Sequence, residues 1–420
     1  MCCFGCMVLP KPISTSNSTD LITPHKRPLS MNATLLYYLR CYTCRILSSL
    51  GTHSFTECLC LCGFRSSFAT AAPIVAAFQF VCSGSAALTC SLTNLYPDYE
   101  GTFVLQHIPP SAYMLVFSRL RVSTIDHKLL SALPTTVTHV LVNDSTYVIN
   151  VKVPASASFL SLVILQTKLG AISFEPNFNL SQLTIEQAPL HHIPSSLLNL
   201  RSLAYVKINF TPVQNIDVSL FCNLTQLQTI DLKYNKIYSV TASQFSGCTS
   251  SLLELLLANN RLKRIIPSVF APFRRLEVID LSHNMLESFV GRFQNTEISQ
   301  LLISNNLLPQ IDPCEWVLMP NMTSLFIEKN KLIGVPDCLH KFPNLYSINL
   351  ENNLLSSVSL AAFAQLKVLQ YLRLSWNPIV SFILREDSVP PKLLQIDMRH
   401  SRVNYLNVSK KMLQQIQIQT

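Results

Sequence analysis

The side chains of this chain that are best suited to a functional role are aromatic and basic residues of the kinds that form binding sites. Tyr371, Arg373 and Trp376 lie within a six-residue stretch, and Arg399 and His400 follow further along the chain. Trp, Tyr and Arg combine a large contact area with a polar group, and they contribute much of the binding energy at protein interfaces. Among these residues, Trp376 is the strongest single candidate for contact with a partner.

The sequence lacks the motifs of the common catalytic and cofactor sites. It has only 9 glycines, and none are clustered as phosphate-cradling loops and dinucleotide fingerprints require. It has no Gly-x-Ser-x-Gly elbow and no His-Glu-x-x-His helix. His191-His192 has no acid–base partner at a fixed spacing, and Cys41-x-x-Cys44 lacks the second ligand pair of a zinc site. The sequence therefore predicts a protein that is not an enzyme and has no metal or cofactor.

The net charge of +9 does not point to nucleic acid. The excess of Lys and Arg is spread thinly along the chain and forms no basic stripe interleaved with aromatic residues. Tracking a phosphate backbone needs such a stripe. We therefore expect no nucleic-acid partner.

One spacing of residue types recurs through most of the chain and must position the candidate residues. In the unit that begins at Leu227, apolar residues occupy positions 1, 4, 6, 11 and 14, and Asn occupies position 9. Units begin 21 to 25 residues apart, at residues 137, 159, 180, 203, 227, 252, 276, 298, 322, 345, 369 and 393. Seven consecutive units keep the asparagine: Asn235, Asn260, Asn284, Asn306, Asn330, Asn353 and Asn377.

This spacing is the leucine-rich-repeat signature, and the chain resembles the leucine-rich-repeat ectodomains of pattern-recognition receptors and receptor kinases. The resemblance implies an α/β solenoid of about 12 units over residues 137–406. A curved parallel sheet would form its concave face, and short helical or irregular turns its convex face. The alternation of apolar and polar residues from Thr229 to Lys233 fits a short strand with one buried face. The position-9 asparagines would satisfy backbone groups where the chain leaves each strand.

Function in a repeat of this kind is carried by the solvent-facing strand positions. Leu302 and Phe326 stand at position 5 of adjacent units and form an apolar pair on a face that should be polar. With the aromatic and basic residues further along, they predict a binding site for a protein or peptide ligand. The predicted site comprises Leu302, Phe326, Tyr371, Arg373, Trp376, Arg399 and His400.

Sequons and cysteine spacing favour an oxidising compartment. After Cys90, Asn-x-Ser/Thr sequons occur at Asn143, Asn179, Asn209, Asn223, Asn321 and Asn407. Cys314 and Cys338 occupy position 17 of successive units, where the spacing of stacked coils allows a disulfide. Cys222 and Cys248 occupy equivalent segments of neighbouring units. Their spacing fits a disulfide, and the position of Cys248 also fits an unpaired core residue. Cys90 has no close partner in the sequence.

Two sequons also bear on where a partner would bind. Asn143 and Asn209 stand at position 7 of their strands, so glycans there would crowd the N-terminal part of the strand face. The strands from residue 276 to residue 403 carry no sequon on that face. We therefore expect binding in the C-terminal half.

The remaining segments are assigned by composition. Residues 1–65 are expected to be a disordered or leader segment, residues 90–136 an N-terminal cap, and residues 407–420 a C-terminal tail. Residues 66–89 read as a hydrophobic signal or signal-anchor, with a buried helix of the cap as the alternative. Basic residues precede this apolar run, which predicts that the repeats lie on the non-cytoplasmic side, secreted or anchored through residues 66–89.

Three functional hypotheses follow. The first is a non-catalytic recognition module, extracellular or membrane-anchored, that binds through the concave face. The second is the truncated ectodomain of a leucine-rich-repeat receptor kinase. The third is an intracellular scaffold, in which the cysteines would stay reduced and the sequons unmodified.

Overall fold

A computed structural model of the 420-residue chain describes residues 45–46, 58–59, 78–84, 88–243, 247–403 and 416–420. The predicted leader at residues 1–65, apart from two short strands, and most of the 66–89 segment lie outside the described residues, as does Asn407. Within the described part of the chain, no helix has the length and apolar character needed to cross a membrane.

The described residues are rich in short strands. In chain order they are β1 Arg45–Ile46, β2 Cys58–Leu59, β3 Gln79–Ser83, β4 Leu88–Thr93, β5 Ala112–Ser118, β6 Thr124–Ile125, β7 His139–Asn143, β8 Asn150–Val153, β9 Ser161–Leu165, β10 Ala171–Phe174, β11 Gln182–Glu186, β12 Tyr205–Asn209, β13 Asn215–Asp217, β14 Thr229–Asp231, β15 Ser239–Thr241, β16 Glu254–Leu256, β17 Arg264–Ile265, β18 Val278–Asp280, β19 Ser288–Phe289, β20 Gln300–Leu302, β21 Ser324–Phe326, β22 Ser347–Asn349, β23 Ser357–Ser359, β24 Tyr371–Arg373, β25 Ser381–Ile383, β26 Gln395–Asp397 and β27 Gln417–Gln419.

The helices of the described residues are all short. Two are single α-helical turns, α1 Pro97–Glu100 and α2 His127–Leu130. The others are 3-10 helices at Phe103–His107, Ser195–Asn199, Val218–Phe221, Pro267–Phe270, Pro313–Glu315, Leu339–Lys341, Leu360–Phe363 and Glu386–Ser388.

One long sheet of 16 strands contains a strand from every predicted repeat unit. Its order is β3-β4-β5-β7-β9-β11-β12-β14-β16-β18-β20-β21-β22-β24-β26-β27, and every pair after β3–β4 is parallel. The twelve strands from β7 to β26 are those that the repeat spacing predicts. The predicted solenoid with a parallel sheet on one face and short helical turns on the other is confirmed.

The long sheet extends beyond the predicted repeats at both ends. Strand β5 pairs with β7, and Ala112, Leu115, Phe117 and Ile125 are buried at positions 1, 4, 6 and 14 of a further unit. Sequence analysis placed this unit inside the N-terminal cap. At the other end, β27 pairs with β26, although it lies in the segment assigned to a tail.

Stacked apolar side chains from both faces form one core. Leu255, Leu257 and Leu262 illustrate the strand side, because each is fully buried at its repeat position. From the 3-10 side, Phe221 and Phe270 are equally buried. Burying a side chain of this size contributes about 1.5–3 kcal/mol, so the repeated pattern supplies the main stabilising contribution along the whole array.

The position-9 asparagines bond adjacent coils to each other. The Nδ2 of Asn260 donates to the carbonyls of Leu232 and Leu257 at 2.9 and 3.0 Å, and its Oδ1 accepts from the Ile237 N–H at 2.9 Å. The same bonds recur at Asn284, Asn306, Asn330, Asn353 and Asn377. Asn235 differs only in accepting from Thr211. Each amide thus pairs backbone groups that would otherwise be buried without partners.

Within the part of the chain that the structure describes, three disulfides join neighbouring segments. Cys314 bonds Cys338, with Cα atoms 5.1 Å apart. Cys222 bonds Cys248, with Cα atoms 4.6 Å apart, so Cys248 is not an unpaired core residue. Cys90, for which the sequence offered no close partner, bonds Cys82 across the antiparallel β3–β4 pair. This hairpin spans the expected boundary between the hydrophobic segment and the cap.

Candidate partner-binding site

The position-5 side chains of five neighbouring strands form one row on the solvent-facing side of the long sheet. Cross-strand register places Leu302 beside Phe326, Phe326 beside Asn349, Asn349 beside Arg373, and Arg373 beside Asp397. Leu302 and Phe326 are partly exposed, as the sequence predicted for an apolar pair on this face. The row therefore runs from an apolar end to a charged end.

At the charged end, Asp397 fixes the position of Arg399. The carboxylate of the buried Asp397 accepts from Nε of Arg399 at 3.0 Å, from Nη2 at 2.6 Å and from the backbone N–H at 3.1 Å. These bonds and the nearby charge of Arg373 lower the pKa of Asp397. Arg373 and Arg399 remain exposed. The result is a pair of guanidinium groups on adjacent repeat units, one of them held in place before any partner binds.

Trp376 and His400 form a stack beside these arginines. Their ring centroids are 3.9 Å apart and their planes differ by 22°. Both follow their strands by three residues, and the Trp376 N–H donates to the Arg399 carbonyl at 2.9 Å. Despite the stack, Trp376 is 55% exposed. A large aromatic surface is therefore presented to solvent in a fixed orientation.

Trp376 and His400 both have left-handed backbone conformations, with φ of +59° and +61°. They stand at position 8, where all twelve predicted units are left-handed, at Asp144, Gln166, Gln187, Phe210, Tyr234, Asn259, His283, Asn305, Lys329, Asn352, Trp376 and His400. Asn and Asp tolerate this conformation, whereas a bulky side chain raises its energy. The fold thus imposes the conformation, and the aromatic residues at this position do not serve local stability.

A second aromatic stack at position 8, in two earlier units, was not predicted from the sequence. Phe210 and Tyr234 stand at position 8 of adjacent units, with ring centroids 4.7 Å apart and planes 8° apart. Both are about half exposed. The signal was available in the sequence, because both residues occupy the position directly before the ladder position.

Glu328, at position 7 beside Phe326, was also missed. Its Oε2 is buried and has no hydrogen-bond partner among the described residues. Burial raises the pKa of this carboxyl and outweighs the hydrogen bonds, among them one with Ser304, that lower it; the charge of Glu351 in the next unit adds to the rise. Glu328 therefore places a partly buried carboxyl, with one oxygen unpartnered among the described residues, beside the apolar end of the row.

The structure brings the predicted site together in two parts. Tyr371, Arg373, Trp376, Arg399 and His400 lie on β24, β26 and the turns that follow them. Leu302 and Phe326 lie on β20 and β21, separated from the first group by β22. Tyr371 also contacts Tyr346 of the preceding unit, with ring centroids 5.2 Å apart. Both parts face solvent on the same side of one sheet.

Exposure divides the predicted glycan acceptors. Asn179, Asn223 and Asn321 are exposed and Asn143 is partly exposed. Asn209, however, is only 2% exposed, so a glycan on its amide is incompatible with this structure. One of the two glycans expected to crowd the N-terminal strands is thereby removed, and the Phe210–Tyr234 stack beside it is open to solvent.

Comparison with known proteins identifies the repeat. Residues 226–286 and 320–379 match the leucine-rich-repeat family, and residues 138–250 match the BspA-type leucine-rich-repeat region. Tsukushi-A of Xenopus laevis is 30% identical over 177 residues, covering 36% of this chain and 50% of that protein. Keratocan of Mus musculus is 25% identical over 237 residues, covering 49% of this chain and 64% of that protein.

A solved structure supports the same fold. The Drosophila Toll–Spatzle complex contains a chain that aligns with a TM-score of 0.52 and 17% identity, covering 85% of this chain and 55% of that one. The protein is a parallel-sheet repeat solenoid with an exposed aromatic and cationic surface. More specifically, it is a leucine-rich-repeat protein. The match spans about half the length of the Tsukushi relatives.

Proposed function

We propose that this protein is a non-catalytic, extracellular recognition module. It binds a protein or peptide ligand through the solvent-facing side of the C-terminal part of the long sheet. The site comprises the group around Trp376 and Arg399, with Leu302 and Phe326 as a second point of contact. Ligand recognition is the function that the repeat implies; the strand face as binding surface and the extracellular location are the further parts proposed here.

One observation carries the proposal: Trp376 is exposed, stacked on His400 and held in a left-handed backbone conformation. Three other units place Asn at this position, and Asn adopts the conformation at lower energy. A Trp here stabilises neither the core nor the turn. Residues that are unfavourable for the fold, yet exposed and oriented, are expected where a partner binds.

The neighbouring groups indicate the chemistry of the ligand. Arg373, on β24, and Arg399, in the turn after β26, lie next to the Trp376–His400 stack. Guanidinium groups pair with carboxylates in a bidentate geometry, and Trp contributes a broad apolar contact. The ligand is therefore expected to place an acidic side chain or a terminal carboxylate beside an apolar or aromatic residue.

The disulfides support the extracellular part of the proposal. Three cysteine pairs have bonding geometry in the described residues, and such bonds persist in oxidising compartments. Asn179, Asn223 and Asn321 are exposed sequons that the secretory pathway could modify. An intracellular scaffold would gain nothing from either feature.

Expression in a eukaryotic secretory host tests the compartment. Mass spectrometry of the purified protein should find glycans at Asn179 or Asn321 and no free thiol at Cys222, Cys248, Cys314 or Cys338. The mature N-terminus, read in the same experiment, distinguishes a cleaved signal from a retained anchor. A protein that stays in the cytosol, with free thiols and bare sequons, would contradict the proposal and support the scaffold hypothesis.

A further inference from the structure

An apolar ridge runs along the turns by which the chain leaves the strands, outside the site described above. Its members are aliphatic and each is more than 40% exposed; they are Met285, Leu307, Ile333, Leu354 and Val380. They stand at positions 10 or 12 of five consecutive units. We refer to this set as the apolar ridge. Aliphatic side chains gathered on one exposed surface are uncommon in a monomer and mark an interaction surface.

Backbone hydrogen bonds between coils show that the turns carrying the ridge stack directly on one another. The N–H of Met285 donates to the Leu262 carbonyl at 3.0 Å, and the N–H of Leu307 donates to the Leu286 carbonyl at 2.9 Å. Leu354 bonds Leu332 in the same way at 2.9 Å. Equivalent positions of successive units are therefore one coil apart, which places their side chains about 5 Å from each other. Position 10 of these five units is occupied by Met285, Leu307, Lys331, Leu354 and Pro378, so Lys331 is the one charged residue at this position.

A basic patch adjoins one end of the ridge. It consists of Lys236, Arg261, Lys263 and Arg264, all exposed, on the same turns of the two preceding units. Among the residues that the structure describes, none of these four cations forms a salt bridge. Glu287 stands on the next turn, and its backbone N–H donates to the Lys263 carbonyl at 2.8 Å. This side of the solenoid is thus cationic at one end and mainly aliphatic beyond it, where Glu287 and Lys331 are the charged residues at positions 10 and 12 of the five ridge units.

We infer that this side of the solenoid docks a linear protein segment in which an acidic cluster adjoins an apolar strip. The acidic cluster would lie on the basic patch, and the apolar strip would lie along the ridge. Charge complementarity favours one direction for the segment, because four cations cluster at one end, whereas Lys331 and Arg402 stand singly further along. This surface is separate from the strand face proposed above, and either site could exist without the other.

Two other occupants fit less well. A second copy of this chain, paired ridge to ridge about a two-fold axis, would bring the basic patch towards the end where Arg402 stands, at position 10 of the last predicted unit. Like charges would then face each other. An anionic lipid surface is uniform in direction and would favour cations spread evenly along the whole ridge, whereas four of them cluster at one end here.

The sequons are consistent with a free surface on this side. Asn179, Asn223 and Asn321 all stand on the turns that lead into the strands, within four residues of the next unit's start. The ridge lies on the turns that follow the strands. Glycans at these exposed asparagines would therefore leave the apolar ridge and the basic patch uncovered.

A displayed peptide library provides a defined probe. Random peptides on phage would be selected on the full secreted chain and counter-selected on Ile333→Asp/Val380→Asp. Enriched peptides should combine at least two acidic residues with a neighbouring apolar run. The synthetic peptides should bind at least 10-fold more weakly to the ridge variant and to Arg261→Glu/Lys263→Glu, and raised salt should weaken binding. The charge-reversal variant leaves the aliphatic side chains intact, so it tests the inference even if the ridge variant folds poorly.

Matched variants separate this inference from the proposed function. Leu318→Asp changes an equally exposed aliphatic residue on the opposite turns and should leave peptide affinity unchanged. Phe326→Ala/Trp376→Ala, on the strand face, should also leave it unchanged. Enrichment of peptides without acidic residues, or equal binding to the charge-reversal variant, would overturn the inference. So would a ridge-dependent dimer in sedimentation, or ridge-dependent binding only to vesicles of 3:1 phosphatidylcholine and phosphatidylserine.

Discussion

The indole of Trp376 lies on the imidazole of His400 at a centroid distance of 3.9 Å, although the two residues are separated by one full repeat. The contact follows from the coil spacing, because position 8 recurs in register in every unit. Similar stacking occurs between Phe210 and Tyr234. The repeat therefore converts a sequence separation of 24 residues into direct side-chain contact.

The left-handed conformation of Trp376 predicts an unusual order of stability among its variants. Trp376→Gly should be more stable than Trp376→Ala by about 1 kcal/mol, because Gly adopts a positive φ without steric cost. At a position with ordinary backbone angles the order reverses, so Ala362→Gly should destabilise the protein by about 0.5–1 kcal/mol. Urea unfolding of the variants measures both differences. Equal stability of the two Trp376 variants would contradict the role assigned to position 8.

The ladder asparagines should be far more sensitive than exposed ones. Asn306→Ala removes bonds to the carbonyls of Leu281 and Ile303 and leaves the Leu286 N–H without its acceptor, so we expect a loss of about 2–3 kcal/mol. Asn344→Ala, which loses one exposed bond to Pro320, should change stability by less than about 1 kcal/mol. Thermal and denaturant unfolding compare the two. Similar losses would argue against the ladder as the main link between coils.

The Cys314–Cys338 bond should stabilise the array measurably. It closes a segment of 24 residues, for which the chain-entropy estimate is about 3 kcal/mol. Cys314→Ser/Cys338→Ser should therefore unfold at a lower denaturant concentration than the unmodified protein. Adding a reductant should narrow the difference between their denaturant midpoints. If the variant and the unmodified protein unfold alike under oxidising conditions, the bond does not form in solution.

Neutralising Glu328 should raise the free energy of unfolding by an amount that depends on pH. Burial raises the pKa of its carboxyl in the folded protein, so the folded state binds the proton more tightly than the unfolded state. The fold is therefore destabilised as pH rises from the ordinary glutamate pKa of about 4.3 through the raised value. Glu328→Gln should stabilise the protein at pH 7 by up to about 1 kcal/mol, allowing for partial solvent screening.

That difference should vanish below about pH 4, where both states are protonated. Glu277→Gln, at an exposed position on the same face, serves as the control and should show little change at either pH. Denaturant midpoints at pH 4 and pH 7 provide the measurement. A loss of stability in Glu328→Gln at pH 7 would show that the carboxylate has a favourable interaction.

Strict periodicity explains why the strands could be predicted from sequence and why other features could not. Each apolar residue at positions 4 and 6 faces the core, so the twelve strands from β7 to β26 follow from spacing alone. The unit at Ala112 lacks the Asn and was read as a cap, although its apolar spacing is intact. The burial of Asn209 could not be read from its sequon, because burial depends on how the turn packs.

The site was predicted unevenly for a similar reason. Alternation along a strand identifies which side chains face solvent, and this placed Phe326 and Arg373 correctly on the same side as the other candidates. Alternation says nothing about the turns, so the left-handed row and the apolar ridge were missed. The aliphatic residues of the ridge resemble core residues in sequence, and only the stacking of the coils shows that they are exposed.

The most direct test of the central claim is the affinity for a protein ligand of the variant Phe326→Ala/Trp376→Ala. The secreted protein would be screened against an array of secreted and cell-surface proteins, and the dissociation constant of the strongest partner measured for each variant. The control, Tyr147→Ala/Phe178→Ala, removes two exposed aromatic rings outside the strand face. If the strand face is the binding site, Phe326→Ala/Trp376→Ala weakens binding at least 30-fold, equivalent to about 2 kcal/mol, and the control does not. Unchanged affinity in Phe326→Ala/Trp376→Ala would contradict the account.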